Sequence, residues 1–199
     1  MSALNGSRIL LVNSGSTKKR FILQQLKKLG LSVVCLNRDI SWAKPYVDEW
    51  IIADTTHPLS AIDAVNRFLT DKPNNYLDGI VTFWEDDVVL TARLAKGLGL
   101  PGIPIESALT CRNKARFREF CEKEQLPAPK ARLVDPALDP KSVIEGLRFP
   151  LVVKPAFGAA SAYVIRVDDQ EHFIETVGFL RRELSPAVES ALNEGLDLV

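Results

Sequence analysis

An α/β fold, a parallel-sheet domain followed by a smaller α+β piece, is what this sequence predicts, and three observations predict it. Short apolar runs alternate with amphipathic helical patterns from residue 1 to about 105. Beyond that point the alternation stops and a charged helix, extended stretches and turns follow. A strand, a small-residue loop and a second strand then occupy Phe149 to Val167.

The elements follow in order. Arg8 to Asn13 is an apolar strand ending in the turn Asn13-Ser14-Gly15-Ser16. Thr17 can cap the next helix, in which Ile22, Leu26 and Leu29 form one apolar stripe and Gly30 is the stop. Leu31 to Leu36 and Trp50 to Ala53 are the second and third strands. A helix over about Ser60 to Leu69 buries Ala61, Val65 and Phe68. Leu77 to Phe83 is the fourth strand, and Asp86 to Leu98 is a helix with Val88, Ala92 and Ala95 on one face. Strands alternating with helices require a parallel sheet covered on both sides. Thr110 to Gln125 then reads as one charged amphipathic helix, broken by Leu126-Pro127-Ala128-Pro129. Lys130 to Val134 is a strand, Pro136 to Pro140 a turn and Lys141 to Leu147 a short helix. The strand–loop–strand comes next, and a helix from Asp168 to about Leu184.

Composition excludes several classes. The 199 residues carry 25 basic and 25 acidic side chains, so no bulk field favours nucleic acid or an anionic membrane. No apolar run approaches the ~20 residues of a membrane span, and the polar N-terminus lacks a signal-peptide core. Cys35, Cys111 and Cys121 are odd in number and form no C-x-x-C pair. Cys111 and Cys121 share one predicted helix, which speaks against a bridge between them. A reduced, cytoplasmic setting is expected.

The chemistry concentrates in two lysines. In the strand Leu151 to Lys154, Leu151 and Val153 share one face and Val152 and Lys154 the other. A lysine fixed among apolar neighbours is a compact point charge suited to a phosphate. The loop Ala156 to Ser161 has no long polar side chain, so its backbone N–H groups can approach an anion, and Ser161 adds a hydroxyl. A surface hairpin with a snorkelling lysine accounts for the same residues. Lys114 lies on the shoulder of a helix whose buried face is marked by Phe117, Phe120 and Cys121. From helix position alone, an ordinary flanking lysine is the better reading.

Order and context add weight. Val81-Thr82-Phe83-Trp84-Glu85-Asp86, Leu98-Gly99-Leu100-Pro101-Gly102, Cys111-Arg112-Asn113-Lys114, Leu126-Pro127-Ala128-Pro129 and Phe149-Pro150-Leu151-Val152-Val153-Lys154-Pro155 occur in that sequence. The ordered set resembles the ATP-grasp superfamily over nearly the whole chain. The resemblance implies a Rossmann-like pre-ATP-grasp domain at residues 1–105. It implies a linker helix and a partial α+β ATP-grasp small subdomain at residues 106–199. It implies ATP contacts at Lys114 and Lys154, and a phosphate loop at Ala156 to Ala162 that includes Gly158, Ala159, Ala160 and Ser161. The single loop glycine, Gly158, looks closer to amino-acid-ligase and carnosine-synthase-like branches than to biotin carboxylases.

The implied activity is phosphorylation of a small-molecule carboxylate by ATP and passage of the acyl phosphate to an amine or similar nucleophile. In-line phosphoryl transfer depends on positioning and charge neutralisation, so no nucleophilic triad is needed. The family's adenine hinge should begin near Leu196-Asp197-Leu198-Val199, and its magnesium ligands fall later still. Asp168, Asp169, Glu189, Glu194 and Asp197 form no substitute and read as helix-cap and surface acids. The chain is therefore expected to be the N-terminal fragment of a ligase, inactive alone, with magnesium bound only by the complete enzyme. A homodimer stays open.

Other candidates are weaker. The turn Asn13-Ser14-Gly15-Ser16 lacks G-x-G-x-x-G, so NAD binding is not read from it. Asn13, Ser14 and Glu85 lie at the carboxyl end of the sheet, where open α/β folds bind ligands, and are candidate substrate contacts. Asp86 reads better as a helix cap. His57 and His172 have no metal-spaced partner, and Trp42, Trp50 and Trp84 read as core or interface aromatics. Two alternatives remain: a non-catalytic nucleotide-binding or regulatory module, and a flavodoxin-like receiver. The receiver is disfavoured because Val12-Asn13-Ser14 carries no acidic pair.

Overall fold

The apolar run Arg8–Val12 forms β1, an interior strand of a four-stranded sheet in the computed structural model. The structure describes residues 4–71, 75–134, 139–158 and 161–184. Its backbone divides into two units, residues 1–108 and residues 109–199.

In the first unit β1 lies between β2 (Ser32–Asn37) and β4 (Gly79–Thr82), and β3 (Glu49–Ile52) pairs with β2. Every pairing is parallel, with Leu10 opposite Val34 and Ile80, so the order is β3-β2-β1-β4. Successive β1 side chains point to opposite faces. Leu10 and Val12 pack with Ala61 and Val65 of α2 (Pro58–Asp71) and with Leu90 and Leu94 of α3 (Val88–Gly97). Leu11 packs on the other side with Leu23 and Leu26 of α1 (Arg20–Lys28). Burial on both faces is why β1 reads as a continuous apolar run rather than an alternation.

Several boundaries differ from the sequence expectation. A 3-10 turn, Thr17–Lys19, leads into α1, so Thr17 makes no cap. The α1 stripe is centred on Leu23 and Leu26, and Leu29 is exposed because it falls at the helix end. Another 3-10 turn, Glu85–Asp87, precedes α3, and the residue at the helix start is Asp87 rather than Asp86.

In the second unit β5 (Leu151–Val153) and β6 (Ile165–Val167) form an antiparallel pair, with Val152 opposite Arg166. Val153 and Val167 turn inward onto α7 (Gln170–Glu183), where Phe173, Val177 and Leu180 recur at helical spacing. Asp169 caps α7 through the His172 N–H at 2.9 Å, one residue later than the expected start at Asp168.

The expected helix Thr110–Gln125 is two helices, α4 (Ile105–Arg112) and α5 (Lys114–Lys123). Asn113 interrupts them because its side chain caps the second. Cys111 and Cys121 therefore belong to different helices, and all three cysteines are free. Burial pushes the Cys35 thiol up to about 12. Of the expected α5 face only Cys121 is buried; Phe117 and Phe120 are exposed. The expected strand Lys130–Val134 is reduced to a single bridge at Val134, since residues 130–133 expose their side chains and have no buried face to align. Pro140 opens α6 (Pro140–Val143), capped by Asp139, instead of closing a turn; a proline is favoured at the first helical position. Gly146, at φ +75°, lies in the turn after it. No helix among the described residues is long and apolar enough to cross a membrane.

Candidate functional site

In the second unit the structure brings Lys114 to the loop that follows β5. Lys114 is the first residue of α5, and its backbone N–H donates to the Ala156 carbonyl at 2.9 Å. Its ammonium lies 3.4 Å from the same carbonyl and 3.2 Å from the Gly158 carbonyl. The side chain is half-buried. One residue thus holds the base of the loop by both backbone and side chain.

Lys154 directly follows β5 and is half-buried. It lines a cavity of about 390 Å³ with Val134, Val143, Leu151, Val153 and Phe173. Arg118, Lys130 and Arg132 add positive charge to the same wall. The cavity thus joins an apolar floor to a cationic margin. A larger groove of about 630 Å³ runs along α5 and residues 128–133 and touches neither lysine.

Gly158 has φ +142°, a conformation side-chain-bearing residues rarely adopt, although a Cβ built there would meet nothing within 4 Å. Ser161, at φ +59°, and Tyr163, at φ +57°, mark the far side of the loop. Ser161 is exposed. Ala159 and Ala160 lie outside the described residues, as do the expected hinge at Leu196–Val199 and the acids Glu189, Glu194 and Asp197.

In the first unit the carboxyl ends of the strands carry a second constellation. The sheet order places β1 between strands leading away in opposite directions, which opens a crevice between β1 and β4. Asn13 follows β1 at φ +64°, and its Nδ2 donates to Asp87 Oδ2 at 2.8 Å across that crevice. Its Oδ1 accepts the Gly15 N–H at 2.8 Å. Ser14 is buried, 2.8 Å from the Ser41 hydroxyl, with its N–H directed at Asn37 Oδ1. Trp42 Nε1 donates to the Gly15 carbonyl at 2.8 Å. Lys19 lies over the Trp84 ring and donates to the Phe83 carbonyl. The turn is therefore fixed on all sides, and Asn13 and Ser14 spend their polar groups on holding it. Glu85 is exposed at the crevice rim.

Two residues of these sites were missed by sequence reasoning. Asp87 is buried, and burial pushes its carboxyl above its ordinary value, with the Asp86 and Asp54 charges adding to the shift. Hydrogen bonds from Thr55 and Asn13 oppose it. Three acids in a row at positions 85–87 give no sequence signal for which one turns inward. The helical pattern over Thr110 to Gln125 places Asn113 mid-helix, although asparagine prefers the N-cap. Its Oδ1 accepts from the Ala115 and Arg116 N–H groups at 2.9 and 3.1 Å.

Comparison with known proteins gives the geometry a lineage. Residues 23–102 match the ATP-grasp N-terminal domain. Over 197 residues the chain is 27% identical to carnosine synthase 1 from Mus musculus, covering 90% of this chain and 24% of that protein. The fold is similar to the crystal structure of an L-amino acid ligase from Bacillus licheniformis, with a TM-score of 0.79 and 24% identity, over 98% of this chain and 46% of that one. It is also similar to N5-carboxyaminoimidazole synthetase from Staphylococcus aureus complexed with ADP, with a TM-score of 0.66 and 18% identity, over 98% and 46%. The chain spans about a quarter of the carnosine synthase and under half of either solved enzyme. The family match and the parallel sheet agree over residues 23–102, which are similar to the ATP-grasp N-terminal domain.

Proposed function

We propose that residues 109–184 supply one wall of an ATP site, with Lys114 and Lys154 as phosphate contacts and Gly158 to Ser161 as the loop that closes over the phosphates. The observation that carries this is the double attachment of Lys114 to the Ala156 and Gly158 carbonyls. It fixes a cation at the base of a loop lacking long polar side chains, where backbone N–H groups can meet an anion. The cavity beside Lys154, about 390 Å³, falls within the size range of small-molecule sites. Its apolar floor suits a base and its cationic margin suits phosphate.

The reading extends to the reaction through the family. The protein is the N-terminal part of an ATP-dependent carboxylate ligase. A carboxylate oxygen attacks the γ-phosphorus, ADP leaves, and an amine then displaces phosphate from the acyl phosphate. The lysines neutralise charge on the phosphoryl oxygens and hold the nucleotide in line. Among the described residues no group of three or more His, Cys, Asp or Glu side chains is arranged to hold a metal, so no step is assigned here to magnesium. Residues 1–105 would be the pre-ATP-grasp domain and residues 106–199 the linker helix and small subdomain. The crevice at Asn13, Ser14 and Glu85 would face a substrate. Free cysteines, one of them exposed, fit a reducing cytoplasm.

Calorimetric titration of the 199-residue chain with ATP tests the site. Lys154→Ala is expected to weaken binding by about 10-fold or more, the range for hydrogen bonds to charged groups. Equal affinity in both proteins would overturn the assignment.

A further inference from the structure

The break between α4 and α5 determines what Lys114 can bond. In an unbroken helix the Lys114 N–H would be spent on the Thr110 carbonyl, four residues back. Instead Asn113 takes φ −106° and ψ 112°, and a new helix begins. The first four N–H groups of any helix have no partner within it. Here all four are satisfied. Asn113 donates to the Leu109 carbonyl at 3.0 Å, Lys114 donates to Ala156 at 2.9 Å, and Ala115 and Arg116 donate to Asn113 Oδ1 at 2.9 and 3.1 Å. Asn113 is itself buried, at 4% exposure, so its side chain has little freedom to leave the cap.

We infer that Asn113 is a positioning residue for the nucleotide site, acting through Lys114; this rests on the reading that the loop after β5 closes on phosphate. By restarting the helix at Lys114, it frees that residue's backbone N–H for the loop carbonyl. The same restart sets the direction in which the ammonium leaves the helix, toward Ala156 and Gly158. Asn113 needs no contact with the nucleotide. A continuous helix with an identical Lys114 would present the ammonium without the backbone bond, and the loop base would be held by one group instead of two.

The test compares the wild-type chain with Asn113→Ala, Asn113→Ser and Lys154→Ala, by residue-resolved amide exchange and by ATP titration. Asn113→Ala is expected to speed exchange of the Lys114 amide by roughly 10-fold and to weaken ATP binding by roughly 5- to 10-fold, in proportion to a lost cap. Asn113→Ser retains a capping oxygen and is expected to restore both. Lys154→Ala is expected to weaken ATP binding without altering Lys114 exchange. The inference is overturned if Lys114 exchange in Asn113→Ala matches wild type, or if serine fails to rescue while the thermal midpoint is unchanged. The phosphate reading fails separately, if Lys114 exchange quickens in Asn113→Ala yet neither that variant nor Lys154→Ala changes ATP affinity.

Discussion

The backbone N–H of Lys114 donates to the carbonyl of Ala156 at 2.9 Å, joining the first residue of α5 to the loop after β5. The ammonium of the same residue reaches Ala156 and Gly158. The two attachments are separable, because substitution of the side chain leaves the N–H in place. Lys114→Met is therefore expected to keep the helix start and the backbone bond while removing the charge. ATP affinity should fall by about 10- to 100-fold, with the thermal midpoint nearly unchanged. A large drop in the midpoint with unaltered affinity would show the ammonium to be structural only.

Gly15 offers a test in the first unit. It sits at φ +61°, and a Cβ built there would lie 2.9 Å from the Trp84 ring. Gly15→Ala combines a left-handed backbone with a close contact and is expected to cost about 1–3 kcal/mol. Urea denaturation measures the loss, and Trp84 fluorescence should shift as the ring moves aside. Unchanged stability and emission would mean that the turn is not pinned between Trp42 and Trp84.

The parallel sheet was legible because its strands are buried on both faces and read as unbroken apolar runs, as Leu10, Leu11 and Val12 show. The loop after β5 was legible because Lys154 follows an apolar strand and precedes small residues. The helix break was not. Around Asn113, helix formers such as Lys114, Ala115 and Arg116 satisfy propensity, and they mask the cap signal of a single asparagine. Phe117 and Phe120 misled because periodicity locates an apolar stripe but not what covers it.

Asp87 makes a prediction about pH with a definite sign. Burial raises its carboxyl above the ordinary 3.8. Between that value and its own, the folded protein holds a proton that the unfolded chain has released. Its contribution is therefore full below the ordinary value and is lost as pH rises through the raised one. Asp87→Asn can still accept from Asn13 and has no proton to lose. Relative to wild type, the variant should gain stability as pH increases from about 4 to about 7. Asp48 carries the opposite sign. Burial raises it, but hydrogen bonds from Lys27 and the Val33 N–H, with the Lys27 charge, leave it below its ordinary value. Its contribution is present above that value and lost as pH falls. Urea midpoints across the range separate the two, and a variant that loses ground to wild type with rising pH would refute the assignment to Asp87.

The division at residues 108 and 109 predicts that damage to one core stays there. Leu180 is fully buried among Val153, Val167, Phe173 and Val177, and no residue of the parallel sheet belongs to that cluster. Leu180→Ala removes packing from both strands that flank the loop and is expected to cost about 2–5 kcal/mol. Amide exchange should quicken across β5, β6 and α7, and ATP affinity should fall because the loop loses its platform. Exchange in β1 and β2 should stay as in wild type, since Leu10, Leu11, Val33 and Val34 pack within the first unit. Lys154→Ala provides the contrast: it should lower affinity without changing exchange in either core. Uniform quickening from β1 to α7 in Leu180→Ala would instead mean that the whole chain unfolds as one cooperative body, and the two-domain proposal would be withdrawn.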